Sequence, residues 1–466
     1  MKTAISSICI LVALVAPSTL AQDYIIIGWN DLGMHCSNKD FSKLVVLPPY
    51  NNIHAQVIQL GDATRLPVVV TTGFRVTYEI PGNTYSVGKT NFWDYEVQIF
   101  GGSLPDNIGL TLSGLTGEMT ASGDNFVVTG IPLTPFLDAD LLHEDPFQLG
   151  LLKLYDGSNN LLATAPPVVP VSNEINCVSS GCHASETAIL NAHDGEGGFD
   201  PANTPILCAS CHSSNALGTT GLPGLPSLSE AVHKKHGEFT NDCYKCHPGP
   251  NTQCLRDVMK TQHGFVCQTC HGTVTEVGES ISSGREPWLQ EPSCGATSCH
   301  GSTYAEEPGK LFRQSRGHGG LFCSACHGEP HAIVPSGNAR DNVQNIALQG
   351  FAGTLSRCQT CHGVVPTGAG PHGLVVTNCC VGRVGDANGS HEPTDEITLG
   401  DIMLMVDVKF ITGDCSKLPC IAEADVTQDG GATPTCEDNV TLGDIMTLVD
   451  FLFITGPETA ILPDCL

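Results

Sequence analysis

Seven cysteine pairs between residues 177 and 362 end directly in a histidine, and this repeated pattern constrains the fold more than any other feature of the chain. Five pairs have the spacing C-x-x-C-H, at residues 208–212, 243–247, 267–271, 323–327 and 358–362. The other two have the longer spacing C-x-x-x-x-C-H, at residues 177–183 and 294–300. We number the motifs in chain order as sites 1 to 7, so the longer motifs are sites 1 and 5.

The short motif is the attachment signature of c-type haem. Two thiols one helical turn apart can form thioethers with one porphyrin, and the adjacent histidine ligates its iron. The sequence therefore predicts seven covalent haem c groups, with two extra residues bulging out at sites 1 and 5. The predicted thioether residues are Cys177, Cys182, Cys208, Cys211, Cys243, Cys246, Cys267, Cys270, Cys294, Cys299, Cys323, Cys326, Cys358 and Cys361. The predicted proximal ligands are His183, His212, His247, His271, His300, His327 and His362.

Zinc knuckles and disulfides are the alternative interpretations of paired cysteines. Zinc sites also use C-x-x-C pairs, but they do not require a histidine after every second cysteine. A long motif alone is compatible with a disulfide, and its place in a series of seven favours haem.

Seven further histidines lie within residues 173–376, which is one for each motif. They are predicted to be the distal iron ligands: His193, His233, His236, His263, His318, His331 and His372. Isolated surface histidines are the alternative for each of them. His233 and His236 are three residues apart and thus share one helix face, so they could serve two neighbouring haems.

This part of the chain resembles the exported multihaem c-type cytochromes of respiratory bacteria, on the motif series and on segments such as GHGGLFCSACHGEPHAIVP (317–335). The resemblance implies electron transfer through mostly bis-histidine haems to redox partner proteins or an extracellular acceptor. Some relatives polymerise into filaments in which a histidine of one subunit ligates a haem of the next; His35 is a candidate, with a structural role as its alternative. The other functional hypothesis is a nitrogen or sulfur oxyanion reductase with one open haem, so enzymatic activity is left open.

The N-terminal residues and the net charge indicate where the protein is located and what it can bind. Residues 1–21 combine Lys2, a short apolar run and a small-residue end, which predicts a cleaved signal peptide. We expect a secreted or cell-surface protein, with the periplasm as the alternative. No later run is long and apolar enough for a membrane span. A net charge of −27 argues against a nucleic-acid partner.

Residues 22–172 carry no motif and predict an all-β sandwich, since short apolar runs alternate with turn signals. Segments such as FRVTYEI (74–80) and EVQIF (96–100) are interpreted as strands, and LLKLYDGSNNLLATA (151–165) as a hairpin. Residues 173–376 predict a heptahaem domain of short helices and loops whose core is supplied by the haems. Ser227 and Gly237 are expected to bound one helix, and Gly264 to end another.

Eight mature-chain cysteines lie outside the motifs. Cys36 and Cys254 are the two that precede residue 377, and a disulfide between them is predicted because free thiols are unusual in exported proteins. The alternative is that each stays free or pairs elsewhere. The other six could form three disulfides of undetermined connectivity: Cys379, Cys380, Cys415, Cys420, Cys436 and Cys465.

Residues 377–466 contain a repeat, because TLGDIMLMVDVKFITG (398–413) recurs as TLGDIMTLVDFLFITG (441–456). Thr398 and Thr441 are the expected helix N-caps. Oxygen-bearing side chains at alternating positions before each helix, closed by a helical carboxylate, suit calcium. The predicted ligands are Asp386, Asn388, Ser390 and Asp401, and in the second copy Asp425, Thr427, Asp429 and Asp444.

This duplication resembles the type I dockerins, which are EF-hand-like calcium-binding repeats. The resemblance implies a small α-helical domain that docks to a cohesin-like or cell-surface partner. Both loops are longer than the usual twelve residues, and Ser390 and Thr427 replace stronger ligands. The alternative is a disulfide-stapled helical pair that needs little metal. The sequence as a whole thus predicts a multidomain protein.

Overall fold

The computed structural model describes residues 23–62, 64–195, 200–363, 368–373, 375–376, 380, 383–389, 397–429, 434–457 and 460–464. The expected signal peptide, Ser390, Cys379 and Cys465 lie outside these residues. No helix of the described residues is long and apolar enough to cross a membrane.

The predicted β-rich N-terminal region is confirmed. Its strands are β1 (Tyr24–Trp29), β2 (His35–Cys36), β3 (Leu44–Val45), β4 (Ile53–Gln59), β5 (Val68–Val70), β6 (Arg75–Glu79), β7 (Thr116–Glu118), β8 (Thr120–Ser122), β9 (Asn125–Val128), β10 (Phe147–Leu149), β11 (Leu151–Tyr155), β12 (Leu161–Ala165) and β13 (Val168–Ser172). One sheet has the order β1-β4-β9-β8 with β5 on β4, a second has β12-β11-β6-β7, and a third has β10-β13-β2. The predicted hairpin is β11 and β12, which pair antiparallel.

Side-chain alternation explains why the first two sheets pack together. In β6 and β11 every second residue is buried, as expected of a strand with one face on a core. Ile26 and Val57 of the first sheet join Val76 and Leu152 of the second in one large buried cluster. This cluster is the core of the N-terminal region.

One expectation for this region is wrong. The EVQIF segment is not a strand, because residues Phe92–Phe100 form helix α1. Gly101 ends the helix in the left-handed conformation (φ 79°), with its N–H donating to the Val97 carbonyl. Phe92 is fully buried and packs edge-on against Phe41 at 5.3 Å between ring centres, so tertiary packing overrides the strand propensity of the segment.

The central region is built from short elements, as the dense motifs suggested. They are α2 (Glu186–Asp194), α3 (Cys208–Cys211), α4 (Leu228–His236), α5 (Val258–His263), α6 (Cys267–His271), α7 (Val274–Ser282), α8 (Cys323–His327) and α9 (Ala339–Gln349), with strands β14 (Ile206–Leu207), β15 (Gly368–Ala369) and β16 (Val375–Val376). The Ser227 hydroxyl caps α4 by accepting from the Glu230 amide, and α5 ends at Gly264 as expected.

The tail is helical and internally repeated. Its helices are α10 (Leu399–Val406), α11 (Ile421–Ala424), α12 (Cys436–Asn439) and α13 (Leu442–Val449), and α10 and α13 continue as π-helical turns at Asp407–Thr412 and Asp450–Ile454. Thr398 and Thr441 cap α10 and α13, as expected. Cys415 and Cys436 form a disulfide, and Cys380 and Cys420 are disulfide-bonded as well.

Candidate haem sites

Each short motif forms a single helical turn. Sites 2, 4 and 6 coincide with α3, α6 and α8, and sites 3 and 7 form 3₁₀ turns at Cys243–Lys245 and Cys358–Thr360. The amide of the motif histidine donates to the carbonyl of the first cysteine, at 3.0 Å in site 2 and 2.9 Å in sites 3 and 7. One turn therefore holds both thiols and the imidazole together.

The two long motifs close with the same hydrogen bond across two more residues. The His183 amide donates to the Cys177 carbonyl at 3.2 Å, and the His300 amide to the Cys294 carbonyl at 3.2 Å. The extra residues fold into an internal turn, which in site 1 is closed by the Gly181 amide donating to the Val178 carbonyl at 2.9 Å. The extra length is accommodated between the two cysteines, and the ends of the motif keep the closure seen in the short motifs.

Six motif histidines lie next to a second histidine from the predicted distal set. The distances between ring centres are 5.9–6.1 Å. The pairs are His183 with His236, His212 with His193, His247 with His233, His271 with His331, His327 with His372, and His362 with His318.

This separation is the one that two imidazoles have on opposite sides of a shared ion. With metal–imidazole bonds of about 2 Å, the ring centres lie roughly 6 Å apart. Direct aromatic packing spans a wider range, about 4.5–7 Å. The interplanar angles vary from 29° to 76°, which is compatible with a shared ion because a ligand ring can rotate about its bond to the metal. The six histidine pairs share this spacing to within 0.2 Å, although contacts such as that of His300 with Tyr304 have the same value.

Hydrogen bonds orient several of these rings. The Nδ1 atoms lie 2.8 Å from the Pro226 carbonyl for His212, 2.7 Å from the Ser229 carbonyl for His233, and 2.8 Å from the Val232 carbonyl for His236. A carbonyl only accepts, so Nδ1 must carry the proton. The unprotonated Nε2 is then available to coordinate a metal.

Helix α4 supplies the second histidine of two different sites. His233 pairs with the histidine of site 3, and His236 pairs with that of site 1. The helix packs closely along α7 at Gly278, where a side chain would come within 3.0 Å of the Lys234 amide nitrogen. Because Gly278 has no side chain, α4 can pack close to α7, and this close packing determines where the rings of His233 and His236 lie.

Two of the paired histidines, His331 and His372, have unusual backbone conformations. Both have a positive φ, in the left-handed region that residues with a side chain rarely adopt. Such strain persists only where the surroundings determine it, and it clusters at ligand-binding sites. Both unusual positions therefore carry an imidazole of a histidine pair.

Site 5 differs from the others. The His300 ring lies 6.1 Å from the ring of Tyr304, and the predicted seventh distal residue, His263, lies 6.1 Å from Phe265. The ring contacts of the described residues include no seventh histidine pair. Tyr304 also lies 5.0 Å from His372, which belongs to site 6. No pattern in the sequence predicted a position beside the site histidines for Tyr304.

Burial affects the ionisation of the motif side chains. Desolvation lowers the pKa of His247, His271 and His327 to about 4 in each case, which favours the neutral imidazole that binds metals. Desolvation also raises the pKa of Cys208 and Cys326 to about 12. All fourteen motif thiols are free, and no three His, Cys, Asp or Glu side chains of the described residues converge as a zinc knuckle requires.

The predicted bridge between Cys36 and Cys254 is not formed, since both thiols are free. The Cys254 Sγ atom lies 3.6 Å from the Nδ1 atom of His331 instead. Desolvation raises the pKa of the Cys36 thiol to about 12, and the charge of the nearby Cys254 contributes to this increase. The Nε2 atom of His35 lies 3.0 Å from the Pro48 carbonyl.

Hydrogen bonds join several predicted calcium ligands of the tail in pairs, while no three of its described carboxylates converge as a metal site. The Asp401 carboxylate accepts from the Asn388 amide at 3.0 Å, and the Asp444 carboxylate accepts from the Thr427 amide at 2.7 Å. The Asp429 amide donates to the Asp425 carboxylate at 3.2 Å, while its own carboxylate accepts from Asn439. Four carboxylates are at most 1% exposed: Asp386, Asp401, Asp425 and Asp444. The Asn388 Oδ1 atom is buried without a hydrogen-bond partner.

No protein-family model matches the chain, and neither a curated protein nor a solved structure matches it.

Proposed function

We propose that the chain carries electrons through seven closely spaced c-type haems, outside the cell or in the periplasm. The observation that carries the proposal is the spacing of 5.9–6.1 Å in six histidine pairs, each with one member in a Cys-His motif. Haem c held this way would supply a one-electron carrier that needs no open coordination position.

The residues of the chain have three roles in this proposal. The motif thiols would anchor the macrocycle covalently, and the paired imidazoles would ligate its iron and keep other ligands away. The carbonyl acceptors of His212, His233 and His236 hold each ring in the ligating tautomer.

Neighbouring sites are linked by short stretches of chain, which favours transfer from site to site. The Asn176 amide, next to site 1, donates to the Cys246 carbonyl of site 3 at 3.2 Å, and α4 serves both sites. His193 follows site 1 and pairs in site 2. His331 and His318 flank site 6 and pair in sites 4 and 7, respectively. Tyr304 lies between sites 5 and 6.

Haem content and spin state test this proposal. The mature protein should carry seven haems, with at least six of them low-spin. The variant His233→Ala should convert one haem to high spin, because it removes a ligand from site 3 only. His143→Ala is the control, since His143 is exposed and pairs with Asp140. Five haems per chain, or low-spin site 3 in His233→Ala, would refute the assigned ligation.

The reductase alternative rests on one observation, the tyrosine beside His300. If site 5 lacks a second histidine, its haem can bind an added ligand. Carbon monoxide should then bind one haem in seven of the reduced protein, and His263→Ala should leave that fraction unchanged. A fully low-spin protein that excludes carbon monoxide would leave electron transfer as the remaining function.

We infer that the tail binds calcium. The buried Asn388 Oδ1 atom has no hydrogen-bond partner, and it lies in the same loop–helix unit as the buried Asp401 carboxylate; together they offer the oxygen ligands that a hard cation prefers. Calorimetry should show calcium binding that Asp386→Asn weakens and that Asp414→Asn, at an exposed position outside the loops, does not. Unchanged helicity and hydrogen exchange in a chelator would favour the stapled alternative.

We also propose that the tail is a dockerin-like domain that docks to a partner protein. Corresponding positions of the two repeats expose the same kinds of side chain, with Leu399 55% and Met403 59% exposed in one and Leu442 57% and Met446 51% exposed in the other. The proposal extends to three domains, with an N-terminal β-sandwich and a central haem domain. Separate expression of 377–466 tests this division by whether the tail folds alone.

A further inference from the structure

Among the described residues, Cys254 is the one cysteine outside the motifs whose sulfur lies beside a paired histidine. Its Sγ atom lies 3.6 Å from the Nδ1 atom of His331, within hydrogen-bond distance for sulfur. His331 pairs with His271 of site 4 at 6.0 Å. If Nε2 of His331 faces the metal position, Nδ1 carries the proton and donates it to the sulfur.

Cys254 is held in this position by a rigid frame. The Arg256 amide donates to the His331 carbonyl at 2.9 Å, and the Val258 amide donates to the Ile333 carbonyl at 3.1 Å. The two segments therefore run side by side, with Cys254 next to His331.

A buried ionic cluster fixes the same two segments. The Arg256 guanidinium binds the Asp341 carboxylate at 2.7 and 2.9 Å and also contacts Glu329. Arg256 is 4% exposed and Glu329 is 2% exposed. A charge pair this deeply buried is strongly destabilised when one partner is lost, so the frame has little freedom to move.

We propose that Cys254 is a positioning residue that accepts a hydrogen bond from His331 and thereby tunes the reduction potential of the haem at site 4. This inference rests on the proposed haem ligation. The acceptor on the far side of a ligating imidazole sets its orientation and basicity. His212, His233 and His236 use a main-chain carbonyl for this purpose, whereas site 4 uses a side chain.

The test is a redox titration of the intact protein followed by electron paramagnetic resonance. Cys254→Ala should raise the midpoint of one haem in seven, because loss of the acceptor makes the imidazole less basic and favours ferrous iron. We expect about a tenfold change in the reduction equilibrium, which corresponds to about 59 mV for one electron. Cys254→Ser keeps an acceptor of similar shape and should restore most of the original midpoint.

Cys36→Ala is the matched control, because Cys36 is a nearby free thiol. An unchanged midpoint in both Cys254 variants, with seven haems attached, would overturn the inference alone. An equal shift in Cys36→Ala would overturn it too, since packing would then explain the effect. Thiol counting on the unfolded wild-type protein should find two reactive thiols. A count of zero would mean that the Cys254 sulfur lies in a disulfide. A wild-type chain without haem would instead refute the proposed function.

Discussion

The N-terminal β-rich region and the central region are stabilised in different ways, although they lie in one chain and contact each other. The first has a large buried cluster of its own, shared between two sheets. In the described part of the central region, buried apolar side chains such as Leu190 and Ile281 lie in no such cluster. Phe322 and Leu207 join clusters whose other buried members include strand residues of the N-terminal region.

This difference indicates what each region needs in order to fold. Apolar burial is the main favourable term in folding, and the N-terminal region obtains it from its own side chains. The central region brings together paired imidazoles and thiols where a core would otherwise be. Under the proposed function, its stability should therefore depend on the haems that those side chains would bind.

The largest effect should follow from withholding haem. A chain exported without haem attachment should keep the β-rich region folded and lose the structure of residues 173–363. Limited proteolysis with mass spectrometry should then show protection of 23–172 and cleavage throughout the central region. Equal protection of both regions from proteolysis would contradict this expectation and show that the central region has a sufficient apolar core of its own.

A matched pair of core substitutions should give the next largest effect. Leu152 is fully buried in the large cluster. Leu152→Ala should cost about 3–5 kcal/mol, in the upper part of the range for such changes. Ile281 is buried outside that cluster. Ile281→Ala should therefore cost less, about 2–3 kcal/mol, because its surroundings are less enclosed.

Hydrogen exchange by mass spectrometry measures both losses, region by region, in the haem-loaded protein. Visible absorption should be unchanged in Leu152→Ala, because the buried cluster around Leu152 contains no residue of a candidate haem site. Equal losses at the two positions would show that the central region also depends on apolar packing.

The contact between the two regions should contribute an intermediate amount. Gln344 of α9 forms two hydrogen bonds of 2.9 Å with the amide and carbonyl of Gly28 in β1, an edge strand of its sheet. Gln344→Ala would leave two buried main-chain groups unpaired, at a cost of about 1–3 kcal/mol. The measurement is the denaturant midpoint of the intact protein.

Arg340→Ala is the control on the same helix. Arg340 also reaches the β-rich region, through an ion pair with Asp145, but its side chain is 46% exposed. Exposed ion pairs contribute about 0–1 kcal/mol. If Arg340→Ala proves as costly as Gln344→Ala, surface charge rather than buried hydrogen bonding joins the regions.

The local shape of the motifs could be predicted from the sequence better than the pairing of their histidines, for a physical reason. A motif closes through one local hydrogen bond, as between His212 and Cys208, so its spacing alone determines its shape. The caps at Ser227 and Thr398 are equally local. Which histidine meets which motif depends on tertiary packing, as when α4 reaches both sites 1 and 3.

Composition was a weaker guide than local pattern. Counting leftover thiols suggested a bond between Cys36 and Cys254, but a count carries no geometry, and Cys254 faces His331. Strand propensity likewise failed at residues 96–100, where a helix that begins at Phe92 packs on Phe41. Both errors occurred where distant segments meet.

The smallest effect should come from shortening a long motif. Deletion of Ser179 and Ser180 converts site 1 to the short spacing, and the internal turn that it removes lies between the two cysteines. The closing bond from His183 to Cys177 then spans the same number of residues as in site 2. The deletion loses the hydrogen bonds that the Ser179 hydroxyl and the Ser180 amide donate to Asn176. Each lost bond should cost about 1 kcal/mol. Mass spectrometry should still show seven haems, whereas Cys182→Ser should lose one thioether. A six-haem product of the deletion would show that site 1 requires its extra length, and the central region would then hold two kinds of site rather than one.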